Sequence, residues 1–352
     1  MKVSSHLWPG VPLALGSAAL FGALAPLCKL LLDRFEPQML AGALYLGAGI
    51  GLGLIALARR VAGAPAAEAP LRRGDAPWLA AIVLFGGVLG PLALMLGLNA
   101  TDAANAALLL NLEGLATMAI AWLVFRENVD RRLLLGAAAI LLGAVALSWQ
   151  GRGVSLDTGA VLVAVACLCW GVDNNLTRKL SSADPATLAM IKGFFAGGVN
   201  LAAALLLGAR LPGAADLAAA AVLGFVCVGA SLVLFIRALR HLGTARTGAY
   251  FSLAPFIGAA TALAAFNEAP SLQLLVAGGL MGVGVWLHLS ERHEHVHEHA
   301  PLEHEHSHVH DAHHQHAHEH GGDGEPHSHW HSHASLVHSH PHYPDLHHRH
   351  RH

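Results

Sequence analysis

Glu113 is a carboxylate set inside a long apolar run, TDAANAALLLNLEGLATMAIAWLVFRE, from Thr101 to Glu127. A charged side chain at the centre of a bilayer costs about 2.5 to 3.5 kcal/mol on an insertion scale, so one kept there faces a cavity or a partner. Two chemistries suit it: taking up and releasing a proton, or holding a polar group of a solute, with Asn105 and Asn111 on the same segment to help. A Glu that merely fixes helix packing is the open alternative, and Gly114 beside it marks a local break or a close backbone approach. A second polar group, Asp173, Asn174 and Asn175, interrupts another apolar run next to Trp170 and Gly171. It suits a cavity wall and a helix contact equally. Lys192 lies one or two turns inside a third run and joins the candidate solute-binding or coupling residues; Lys29 ends a fourth, and either lysine could snorkel to an interface. Glu127 and Glu268 read as helix-end residues.

The C-terminal segment carries a different chemistry. All but His6, His241 and His288 of the 27 histidines follow residue 292. HEHVHEH supplies His293, His295, His297 and His299; LEHEHSHVH supplies His304, His306, His308 and His310. HHQHAHEH adds His313, His314, His316, His318 and His320, and HSHWHSH adds His327, His329, His331 and His333. In an extended chain residues i and i+2 project from one face, so several loops can offer three or four imidazoles to one ion. Neutral imidazole suits zinc, nickel, copper and cobalt, and no fixed spacing here selects among them. The surrounding Glu, Asp, Gly and Pro cannot bury a core, which predicts a disordered tail in the absence of ligand.

The elements that position these groups are membrane helices. The chain has 352 residues, 54% hydrophobic and 12% charged, and a span needs about 20 apolar residues. Ten segments qualify: 11–32, 38–58, 76–98, 102–124, 131–149, 157–178, 185–208, 217–238, 244–266 and 270–290. The first is too long for a cleavable signal and is expected to stay as a helix. Trp8, Trp78, Trp149 and Trp286 fall near segment ends, as interfacial aromatics do. Cys28, Cys167, Cys169 and Cys227 lie within the segments and suggest neither disulfides nor a metal site. Glycines four apart, at 47 and 51, 49 and 53, 86 and 90, 193 and 197, and 278 and 282, predict close helix contacts. Lys and Arg gather on the side of the amino terminus and even-numbered loops, against Arg34, Arg152 and Arg210 opposite, which predicts cytoplasmic termini.

The chain also repeats itself. LNLEGLATMAIAWLVFRE, Leu110 to Glu127, aligns without a gap on FSLAPFIGAATALAAFNE, Phe251 to Glu268. ALFGALAPLCKL, Ala19 to Leu30, parallels CLCWGVDNNLTRKL, Cys167 to Leu180, and Pro37 follows as Pro185 does. Five helices per unit is odd, so the second copy enters the membrane inverted, the architecture of many secondary transporters. The expected fold is therefore an all-α polytopic membrane protein: a short N-terminus at 1–10, five-helix repeats at 11–150 and 151–291, and the His-rich tail at 292–352.

Residues 11 to 290 resemble the EamA-type branch of the drug/metabolite transporter superfamily. The resemblance rests on the two five-helix units, each with a small-residue-rich fourth helix ending in an acid and a fifth helix with spaced glycines, Gly136 and Gly143, then Gly278, Gly279, Gly282 and Gly284. It implies exchange of amino acids, sugars, metabolites or other small solutes. Ser252, Leu253, Ala254 and Pro255 match the family's fourth helix, whereas Asn111, Leu112, Glu113 and Gly114 place a carboxylate where a small residue is usual.

Three functions follow: a solute exporter whose cytoplasmic tail binds or senses divalent metal, an exporter of Ni, Co or Zn itself, and a membrane-anchored metal buffer. Against metal cargo, no predicted helix carries His, Asp or Glu pairs at i, i+3 or i, i+4. No nucleotide loop, nucleophile elbow or zinc-protease motif points to an enzyme, and transport is expected to need no cofactor. Expected partners are lipid, the solute or metal, and a second copy in a homodimer; nucleic acid is not among them. The expected location is the plasma membrane, the inner membrane of a bacterium.

Overall fold

The computed structural model describes residues 10–63, 71, 73–125, 131–149, 157–177, 180, 184–242, 244–289, 293–299, 302–308, 327–333 and 336–342. Glu127 and His310, His313, His314, His316, His318 and His320 lie outside the described residues, as do Trp8, Arg152 and Arg292.

Proline stands in the first turn of several helical pieces. α1 is Gly10–Leu31; α2, Pro37–Val61, has its proline in the first turn, where a missing N–H costs nothing. α3 runs Ala76–Ile82, Val83–Leu89 and Gly90–Ala100, the middle piece wound as a π-helix. α4 is split into Ala103–Leu109 and Leu112–Phe125, and α5 is Arg131–Leu147. The second half follows the same plan. α6 is Thr158–Thr177; α7, Pro185–Leu206, is capped by Asp184, which accepts from Ala186 N at 3.1 Å and Thr187 N at 3.2 Å. α8 comprises Ala214–Gly224, a π-helical Phe225–Ala230 and Ser231–Leu242; α9 is split into Thr244–Phe251 and Ala254–Phe266; α10 is Leu272–Leu289. Asn267 closes α9 in the left-handed region at φ 52°, and Glu268 follows it, past the helix end as expected.

Among the described residues, eight helices are long and apolar enough to cross a membrane. The two predicted spans outside that set are helical but interrupted or short. α5 has 17 residues, and α9 breaks at Ser252 and Leu253 because Pro255 cannot donate to the preceding turn. Large apolar side chains such as Leu123, Phe195, Leu206, Leu275 and Trp286 face outward, as lipid-solvated surface requires, and Trp78 and Trp149 are exposed near helix ends.

The helices pair in a scheme that survives exchange of the halves. α1 packs on α8 and α9 while α6 packs on α3 and α4; α2 touches α8 as α7 touches α3; α2 meets α7, α5 meets α10, and α4 meets α9. At the α2–α7 crossing a Cβ on Gly49 would lie 2.7 Å from Phe194 N, and one on Gly193 would lie 2.6 Å from Gly49 N, so the backbones touch where only glycine fits. The expected Gly278–Gly282 contact is absent: added Cβ atoms there would meet only ordinary contacts, and the close approach of α10 to α5 uses Gly284 and Gly136 instead. Ser17 and Ser231 tie α1 to α8 reciprocally, each hydroxyl donating to the other's carbonyl at 2.8 and 3.0 Å.

In place of the disordered tail expected from composition, the described tail residues form two antiparallel ladders. β1, His293–His299, pairs with β4, Leu336–His342; β2, Leu302–His308, pairs with β3, His327–His333. Alternation of His with other residues along these segments is a period-two pattern, which is what a strand requires.

Candidate functional site

The break in α4 is built from side chains. The turn at Leu110 and Asn111 frees carbonyls from the helical ladder. Asn111 Nδ2 donates to Leu108 O at 2.8 Å, and the Cys167 thiol of α6 approaches Leu109 O at 3.6 Å. Glu113 then falls in the first turn of Leu112–Phe125, where the helix dipole favours a negative charge. Its carboxylate accepts from Asn174 Nδ2 at 3.0 Å, and Asn174 also donates to Thr117 Oγ1 at 3.2 Å. Asn175 turns the other way and anchors α6 to α4 through Thr117 O at 3.0 Å, with a second bond to Gly171 O at 2.8 Å.

Asp173 is buried and ion-paired with Lys192 of α7. A Cβ on Gly86 would lie 2.1 Å from Asp173 Oδ2, so the carboxylate occupies space that a glycine leaves open. Gly86 belongs to the π-helical piece of α3, whose winding shifts carbonyls out of the regular ladder. Those carbonyls are met by side chains: Tyr45 Oη and Trp170 Nε1 both donate to Gly86 O, at 3.0 and 3.1 Å, and Asn200 Nδ2 reaches Gly87 O and Val88 O at 3.4 Å.

These groups surround a cavity of about 430 Å³ lined from both halves, by Glu113, Asp173, Asn174, Lys192, Tyr45 and Trp170 with Leu44, Leu94, Met95, Phe21, Phe235 and Phe251. A second cavity of about 270 Å³ adjoins it, lined by Asn111, Ser252, Pro255 and His288. Glu113, Phe21 and Phe251 line both and form the partition between them. Phe251 stacks on Phe21 at 5.3 Å and meets Phe235 edge-on at 5.0 Å.

Of the predicted residues, Glu113, Asp173, Asn174 and Lys192 therefore meet at one cavity, and Asn111 lines its neighbour. Asn105 lines neither; it reaches Asp102 Oδ2 at 3.4 Å near the start of α4. Lys29 caps the end of α3, donating to Leu98 O and to Thr101 O at 3.0 Å, in place of snorkelling. Tyr45, Thr117, Asn200 and His288 escape sequence reasoning. Tyr45 and Asn200 could have been found as lone hydrogen-bonding residues in glycine-rich apolar helices; the carbonyls they serve depend on the π-helical winding of α3.

A model of the EamA-like transporter family matches residues 8–149 and again residues 157–290. This chain belongs to that family. The EamA-like chain is also 32% identical over 282 residues to an uncharacterized transporter of Methanothermobacter thermautotrophicus, covering 76% of this chain and 82% of the relative. A solved crystal structure of a protein 19% identical aligns with a TM-score of 0.58, over 79% of this chain and 95% of the other, a likeness of fold. As an EamA-like protein it is an integral membrane transporter, in contact with lipid and a small-molecule substrate.

The tail stands apart from this site. Its ladders put histidine opposite histidine, His295 across from His340 and His297 from His338, then His304 from His331, His306 from His329 and His308 from His327. Among the described residues, no group of three or more His, Cys, Asp and Glu is gathered to hold a metal ion.

Proposed function

We propose that this protein is a secondary transporter that exports a small solute by alternating access, its ten helices forming two inverted five-helix repeats divided near residue 150. The observation that carries this reading is the 430 Å³ cavity lined from both halves, with Glu113 the one charged group in it that has no ion-pair partner among the described residues. The pairing scheme of the helices supports it, since rocking one half against the other needs contacts that each half supplies alike. Glu113 acts as the coupling or solute-binding carboxylate, with Asn174 orienting it and Asp173 and Lys192 completing the wall. Both termini face the cytoplasm of a bacterial cell and two copies form a homodimer.

The tail binds divalent metal, Zn, Ni, Co or Cu, and adjusts transport to metal supply. Its histidine-against-histidine register supports this role, and the donors assemble around the ion as it binds. Flux in membrane vesicles tests the scheme, with full-length protein and protein lacking residues 293–352 compared across radiolabelled organic solutes and Ni, Co and Zn ions. Organic flux whose rate alone responds to metal is the expected result. Metal flux that depends on the protein and weakens without the tail would make the ion the cargo and overturn it.

A further inference from the structure

We infer that the cargo is an organic monocation: an ammonium-type group on an apolar body. The inference rests on the transporter reading above and concerns the same cavity. Among the described residues three formally charged side chains line it, Glu113, Asp173 and Lys192. Asp173 and Lys192 are ion-paired and cancel. Glu113 is left with a single neutral donor, Asn174, and among the described residues no cation stands within ion-pair distance of it. The first turn of Leu112–Phe125 contributes about half a positive charge, so with Glu113 ionised the described lining carries a net negative charge.

Each class of solute can be weighed against that balance. An anion would face Glu113 with no unpaired cation among the described lining residues to receive it. A zwitterion would need a partner for its carboxylate, and Lys192 is already held by Asp173. A transition-metal ion needs three or four N, O or S donors, whereas the wall around Glu113 is mostly aliphatic and aromatic. A monocation pairs with Glu113 directly, leaves the Asp173–Lys192 pair intact and has the aromatic side chains of Phe21, Phe251 and Trp170 in the same lining, rings of a kind that attract cations. Its body fits against Leu44, Leu94 and Met95. The cavity's volume of about 430 Å³ lies within the usual range for small-ligand sites.

The test uses three probes with one phenyl-alkyl body and different charge. Radiolabelled phenethylamine is bound to the purified full-length protein in nanodiscs, and phenylalanine and hydrocinnamate compete. The amine is expected to bind at least tenfold more tightly than the zwitterion or the anion. Glu113→Gln, verified as folded by size exclusion and thermal melting, should lose at least tenfold, and Glu113→Asp should stay within about threefold of the parent. Equal or better competition by phenylalanine or hydrocinnamate overturns the assignment, as does full amine binding by folded Glu113→Gln. Solute flux in vesicles separates the two readings: protein-dependent flux of an anion, a zwitterion or a neutral solute with none of organic monocations keeps the transporter and discards only its cargo class.

Discussion

Glu113 lines the cavity with one carboxylate, and Gly86 makes room for another by having no side chain. If Glu113 couples transport to protons, Glu113→Gln should reach the membrane at parental levels and lose pH-driven flux; unchanged flux with an imposed pH gradient would remove it from the mechanism. Gly86→Ala would drive a Cβ against Asp173 and should cost about 1 to 3 kcal/mol of stability, the usual range for overpacking. Gly114→Ala is the contrasting case, because an added Cβ there meets nothing within 4 Å. Relief of glycine's entropy cost in a helix should make that substitution neutral or stabilising by up to about 1 kcal/mol. Thermal melting of the two variants in detergent distinguishes them. The position of Glu113 at a cavity was legible from its cost in an apolar run. The space that Gly86 leaves for Asp173 was not, because a glycine in a glycine-rich helix carries no sign of which neighbour fills its space.

At the scale of elements, interrupted helices do the positioning. α4 and α9 break at corresponding points, and α3 and α8 carry π-helical pieces at corresponding points. In α3 the displaced Gly86 carbonyl has two side-chain donors, Tyr45 and Trp170. Removing one leaves the other in place, so Tyr45→Phe alone should cost no more than about 1 kcal/mol, and Trp170→Phe about that plus the cost of the cavity its smaller ring leaves in the core. The double variant strands a buried acceptor and should cost about 1 to 3 kcal/mol more than the sum of the singles. A double-mutant cycle by thermal or denaturant unfolding reads that coupling, and strict additivity would mean that the π-helical carbonyl finds another partner.

For the whole molecule, the question is how the tail relates to the helices. Deleting residues 293–352 should leave the membrane domain folded and its basal flux intact while abolishing any response to divalent ions; loss of folding would contradict the boundary near residue 292. Metal loading of the full-length protein should fall as pH drops below about 6.5, since protonated imidazole cannot ligate. Equilibrium dialysis with Ni²⁺ or Zn²⁺ across that range measures it.

The sequence alone was enough for the helical class, helix positions to within a few residues, the family and the presence of an isolated carboxylate in the fourth helix. Apolar runs, prolines and glycines act over a few residues of chain, and their signals survive in one dimension. Only the tertiary structure decided that Asp173 neutralises Lys192, that Asn175 ties α6 to α4 while its neighbour Asn174 serves Glu113, and that Asn105 stands away from the cavity. Each of those outcomes depends on how far one helix is rotated about its axis against another. Rotation is set by contacts between residues tens to hundreds of positions apart, such as Gly49 with Gly193 or Ser17 with Ser231, and no local pattern encodes it.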